Sequence, residues 1–107
     1  MISVALCTYN GEQYIEEQLS SILNQSQMVD EIVVCDDGST DRTIDILNRI
    51  SDSNKDVDIR IFVNKRNIGV CANFYKAVSL CKGDIIFLSD QDDVKKKKKV
   101  ETILNWF

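Results

Sequence analysis

The run Ile85 to Val100, IIFLSDQDDVKKKKKV, sets Asp90, Asp92 and Asp93 directly behind an apolar stretch and ahead of five consecutive lysines. A second acidic pair, Asp36 and Asp37 in VVCDDGST, follows another apolar stretch. Carboxylates placed this way can hold a cation, accept hydrogen bonds from a base or ribose, or serve as acids and bases. Two of them about 5 Å apart at an effective dielectric of about 20 repel by roughly 3 kcal/mol, so a cluster either keeps a proton or takes a divalent cation. The chain has no histidine, and its four cysteines, Cys7, Cys35, Cys71 and Cys81, form no CxxC pair. Oxygen-only donors select Mg2+ or Mn2+ over zinc or copper. Cysteine nucleophiles lack a histidine base, so the four thiols read as buried core residues in a reducing compartment. Asp41 or Asp93 alone would read as a helix cap or a solvated turn; two clusters behind two apolar runs favour a shared site.

Those carboxylates need elements to bring them together, and the apolar spacing supplies them. Ile2 to Cys7 and Glu31 to Cys35 are short apolar runs, read as strands buried on both faces. Asp58 to Val63 alternates Ile59, Ile61 and Val63, the pattern of an edge strand, and Asp84 to Ser89 makes a fourth strand. Between them lie helical stripes: Ile15, Leu19, Ile22 and Leu23; Ile44, Leu47 and Ile50; and Val70, Phe74, Ala77, Val78 and Cys81 facing inward. Val100, Ile103, Leu104 and Phe107 mark a last helix. Asn10 with Gln13 has capping-box spacing, Ser39 or Thr40 is placed to cap the second helix, and Gly83 to close the third.

The order βαβαβαβα predicts a Rossmann-like α/β three-layer sandwich with a mostly parallel sheet and right-handed crossovers, one domain over residues 1–107. Strand order 3-2-1-4 would put a switch point between the first and fourth strands. The C-terminal edge would then gather Thr8, Tyr9 and Asn10, Asp36 and Asp37, Asn64 to Asn67, and Asp90, Asp92 and Asp93.

Outside Lys95 to Lys99, 8 basic residues face 17 acidic ones, which argues against a nucleic-acid groove. No apolar run approaches about 18 residues and no secretion signal opens the chain, so a cytoplasmic location is expected. The lysine run reads as a solvated loop and helix start, with phosphate or anionic membrane contact as the alternative.

ALCTYNGEQYIEEQLSSILNQ, DEIVVCDDGSTDRT, NIGVCANF and GDIIFLSDQDD together resemble the N-terminal half of a family 2 glycosyltransferase of the inverting GT-A fold, over the full chain. The resemblance implies that Thr8, Tyr9 and Asn10 line a base and ribose pocket and that Asp36 or Asp37 binds the nucleobase and ribose. It implies that Lys65, Arg66 and Asn67 close over the nucleotide. Asp90 and Asp92 would be a D-x-D pair holding Mn2+ or Mg2+, Asp92 as the direct ligand and Asp90 nearer the ribose. The donor would be a UDP- or dTDP-sugar and the acceptor a saccharide or lipid-linked saccharide, as in bacterial surface polysaccharide synthesis at the inner face of the membrane. Lys95 stands where relatives carry Trp, and no residue matches their catalytic base, which is expected beyond Phe107. A non-catalytic nucleotide-binding module is the main alternative. A phosphotransferase with an aspartyl nucleophile is disfavoured because Thr8 and Tyr9 follow the first strand, and a dinucleotide oxidoreductase because no G-x-G-x-x-G is present.

Overall fold

The computed structural model describes residues 1–24 and 29–90. Within them the chain runs β1 (Ile2–Thr8), α1 (Ile15–Leu23), β2 (Glu31–Asp36), α2 (Thr43–Ser53), β3 (Asp58–Val63), α3 (Val70–Leu80) and β4 (Ile85–Asp90). The sheet is parallel throughout, in the order β3-β2-β1-β4. This is the expected α/β sandwich with the expected switch point. The last helix, Asp92, Asp93 and the lysine run lie outside the described residues.

Handedness decides the layers. β1 to β2 to β3 steps in one direction, so right-handed crossovers put α1 and α2 on the same face; β3 to β4 steps back across the sheet and sends α3 to the other. The first face packs Val4, Leu6, Ile32, Val34 and Phe87 against Ile15, Leu19 and Ile22 of α1 and Leu47 and Ile50 of α2. The second packs Ala5, Cys7, Val33 and Cys35 against Ala77, with Phe74 and Leu80 beside it. β1 and β2 are covered on both sides, which is why their sequences are almost uniformly apolar, while β3 at the edge is only half-buried.

Several local expectations are corrected. α3 turns Asn73 and Ala77 inward, while Val70 and Val78 are exposed, because the buried amide of Asn73 satisfies a strand carbonyl that no valine could reach. The Asn10–Gln13 capping box does not form: α1 starts at Ile15 with Gly11 O accepting from the N–H groups of Tyr14 and Ile15. Asn10 is instead drawn across to the β2–α2 turn. Neither Ser39 nor Thr40 caps α2; the Asp41 carboxylate takes the Thr43 N–H at 2.9 Å and the Thr43 hydroxyl. Cys71 is exposed and Cys81 half-buried, so only Cys7 and Cys35 are core thiols.

Gly83 is not a helix cap either. α3 ends at Leu80, and a Cβ on Gly83 would stand 2.4 Å from Ser3 Oγ and 2.8 Å from Met1 O, so the residue is glycine for closeness. It lies at the N-terminal edge of the sheet, where fully buried Glu31 accepts from Ser3 Oγ at 2.7 Å, Arg60 Nη2 at 2.7 Å and the Lys82 N–H. Arg60 Nη2 also donates to Leu80 O at 2.7 Å, and the Gly83 N–H to Ser3 Oγ at 2.9 Å. Burial pushes the Glu31 carboxyl up, but the Lys82 N–H, the Ser3 hydroxyl and the Arg60 guanidinium outweigh it and hold the group below the usual carboxylate range. No helix among the described residues is long and apolar enough to cross a membrane.

Candidate functional site at the C-terminal edge of the sheet

Parallel pairing fixes which residues meet at this edge. Thr8 is the register partner of Asp36, and Cys7 is the partner of Asp90. With strands roughly 4.8 Å apart, the backbones of Asp36 and Asp90 stand on either side of β1, about 10 Å from each other. The ends of β1, β2 and β4 therefore share one rim.

The two adjacent aspartates do different things because side chains alternate across a strand. Asp36, in phase with Ile32 and Val34, serves the α1/α2 side. Its Oδ1 accepts from Thr8 Oγ1 and Ser39 Oγ, both at 2.6 Å, and its Oδ2 from the N–H groups of Gly38 at 3.1 Å and Ser39 at 2.7 Å. Gly38 adopts φ 84°, a left-handed backbone that glycine accommodates without strain, so the turn can curl back over this carboxylate. Asn10, at φ 47°, ties the first turn to the second: its N–H donates to Ser39 Oγ at 2.8 Å and its Oδ1 accepts from the Thr40 N–H at 2.8 Å. The Gly11 N–H completes the lacing on Thr43 Oγ1 at 2.8 Å.

Asp37 serves the α3 side. Its carboxylate accepts from the Ile68 N–H at 2.7 Å, the Gly69 N–H at 3.0 Å and Asn64 Nδ2 at 2.9 Å. Asn64 Nδ2 also reaches Asn73 Oδ1 at 2.9 Å, Lys76 Nζ donates to Asn64 Oδ1 at 2.6 Å, and Asn73 Nδ2 donates to Cys35 O at 2.8 Å. Burial pushes the Asp37 carboxyl up, yet the Ile68, Asn64 and Gly69 donors and the nearby Lys76 charge together hold it below its ordinary range. Asp41 follows the same pattern: burial raises it, and the Thr43 hydroxyl and N–H with the Glu12 N–H lower it further.

The expected site residues are thus distributed as follows. Thr8, Asp36 and Asp37 are buried at the rim, while Tyr9, Asn10, Lys65, Arg66 and Asn67 are exposed there. Asp90 ends β4 on the same rim, and Asp92 lies outside the described residues. Ser39, expected only as a helix cap, and Asn73 and Lys76, not expected at all, also belong to this rim; an asparagine four residues before Ala77 on the inward face of α3 was the available signal. Among the described residues no three histidine, cysteine or acidic side chains gather into a metal cage. Mg2+ and Mn2+ need only one or two protein carboxylates beside ligand phosphates, and the oxygen donors here suit such hard cations. The Asp36 carboxylate accepts from four protein donors and the Asp37 carboxylate from three. A rim with buried acceptors, an exposed aromatic ring and a short cationic loop is suited to a phosphorylated nucleoside.

That chemistry has a family. The chain belongs to glycosyl transferase family 2, whose model matches residues 3–107. It is 40% identical over 104 residues to the dTDP-rhamnosyl transferase RfbG of Shigella flexneri, covering 94% of this chain and 36% of that protein. The mannosyltransferase PcManGT of Pyrobaculum calidifontis, solved with GDP-Man and Mn2+, superposes with a TM-score of 0.78 at 27% identity over 85% of this chain and 27% of that one. S. aureus TarS residues 1–349, solved with UDP, gives a TM-score of 0.77 at 26% identity over 97% of this chain and 31% of that one. The chain spans less than half the length of the curated relatives it matches.

Proposed function

We propose that residues 1–107 form one donor-binding domain of a glycosyltransferase that moves a sugar from a UDP- or dTDP-sugar to an acceptor hydroxyl with inversion. The observation that carries this reading is the convergence of four chain segments at one sheet edge: Thr8 to Asn10, Asp36 and Asp37, the Lys65–Asn67 loop and the end of β4 at Asp90. Thr8, Tyr9 and Asn10 line the base and ribose, with the Tyr9 ring as a stacking face. Asp36 or Asp37 accepts from the pyrimidine N3–H, and Lys65, Arg66 and Asn67 meet the diphosphate. The RfbG likeness and the UDP complex of TarS support a pyrimidine nucleotide.

Asp90 and Asp92 would hold Mn2+ or Mg2+, Asp92 directly, and a bound ion of this kind offsets the charge that builds on a leaving nucleoside diphosphate. The acceptor is a saccharide or lipid-linked saccharide in bacterial polysaccharide synthesis, met in the cytoplasm at the inner face of the membrane. The general base that deprotonates its hydroxyl comes from outside this domain.

Calorimetric titration with UDP, dTDP and their sugars, with and without Mn2+, tests the reading. Binding should need the metal and lose most of its affinity under chelation or in Asp92→Ala. Equal affinity with and without metal would remove the D-x-D role, and failure to bind any pyrimidine diphosphate would end the donor-binding assignment.

A further inference from the structure

We propose that Lys76 and Asn73 of α3 are positioning residues for the nucleotide-facing loop 64–69: they fix which way round the Asn64 amide sits, and through it how Asp37 clasps that loop. The proposal rests on the donor-binding reading above. A lysine ammonium can only donate, so the oxygen of the Asn64 amide must face Lys76 Nζ, 2.6 Å away. That turns Asn64 Nδ2 toward two acceptors, Asp37 Oδ1 and Asn73 Oδ1, each at 2.9 Å. The second acceptor is oriented from its far end. Cys35 O can only accept, so Asn73 presents its Nδ2 there, at 2.8 Å, and its oxygen to Asn64.

Donation therefore runs one way, from Lys76 through Asn64 into the Asp37 carboxylate. Asn64 and Asn73 are 7% and 2% exposed, too buried for water to take over a lost bond cheaply. Asp37 closes the loop at both ends, holding Asn64 at its start and the Ile68 and Gly69 N–H groups at its finish. Lys65, Arg66 and Asn67 are left as an exposed arc between the two anchors. With the amide reversed, the Asn64 oxygen would confront the Asp37 carboxylate, acceptor against acceptor, and the arc would lose its fixed base.

The consequence is selective: the arc carries the cations suited to a diphosphate, whereas Thr8 and Tyr9 on β1 do not depend on it. NMR titration of the chain with UDP and with uridine in the presence of Mn2+, together with amide hydrogen exchange, separates these contributions. Lys76→Met should bind UDP about tenfold more weakly, lose less affinity for uridine than for UDP, and exchange the Ile68 and Gly69 amides faster. Lys76→Arg, which keeps an obligate donor, should restore both. Unchanged UDP affinity in Lys76→Met, or an equal loss for uridine, would overturn the proposal. So would unchanged protection of Ile68 and Gly69, a measurement that needs no ligand and decides the matter even if the wild-type chain binds no nucleotide. The latter result would instead overturn the donor-binding reading.

Discussion

At the N-terminal ends of the strands, Glu31 is fully buried and lies 2.7 Å from the Arg60 guanidinium. At the C-terminal ends, Asp36 and Asp37 are also buried, yet hydroxyls, a side-chain amide and peptide N–H groups hold them. Among the described residues no cation forms an ion pair with either aspartate. The difference teaches how buried charge is compensated. The groups bonded directly to these aspartates are neutral, and the Lys76 charge acts on Asp37 only across the Asn64 amide, so carboxylate charge is compensated directly at one end of the sheet and indirectly at the other.

The largest way to break this contrast is Arg60→Met. It strands Glu31 as a buried, uncompensated charge and should cost about 3 kcal/mol in urea unfolding, while donor affinity per folded molecule stays as it was. A matching loss of affinity would mean that the two ends are coupled. Asp36→Asn comes next. It turns one acceptor of a four-donor site into a donor and should cost about 1–2 kcal/mol, and unlike Arg60→Met it should also weaken UDP binding. Full affinity in that variant would show that Asp36 only shapes its own turn.

The smallest effect is on the pH profile. Glu31, Asp37 and Asp41 all titrate below their usual range in the folded chain. Their contribution is therefore complete above the unfolded values of about 4 and is lost as pH falls through the lower folded ones. Stability should be flat from pH 7 to about 5 and fall below about pH 4. Asp37→Asn and Glu31→Gln should each make that acid limb shallower; an unaltered limb in either would mean that its carboxyl is not held down.

The sheet was legible because burial writes itself into residue type. Apart from Ser3 and Glu31, ISVALC and EIVVC are apolar since both their faces are covered, and the alternation of Asp58–Val63 marks an edge that is half wet. The order 3-2-1-4 was the common one for such an alternation, and the rim followed from all strands running parallel. What the pattern could not convey was polar burial. Periodicity counted Val70 and Val78 as inward and passed over Asn73, whose amide is needed by Cys35 O. Capping spacing likewise saw only the neighbours of Asn10, whereas its partners Ser39 and Thr40 sit about 30 residues along and arrive only when the sheet forms. The DD pair looked like one acidic unit, and only the alternation of the strand divides it between two faces.

The position of β1 has a temporal consequence. β1, the first strand of the described residues, sits in the interior of the sheet, and its second neighbour, β4, is the last. Until β4 has emerged from the ribosome, β1 offers an apolar, unpaired flank to its surroundings. Closing it requires a contact between Ser3 and Gly83, 80 positions apart, so the sheet is expected to complete late and slowly compared with a fold built from adjacent hairpins.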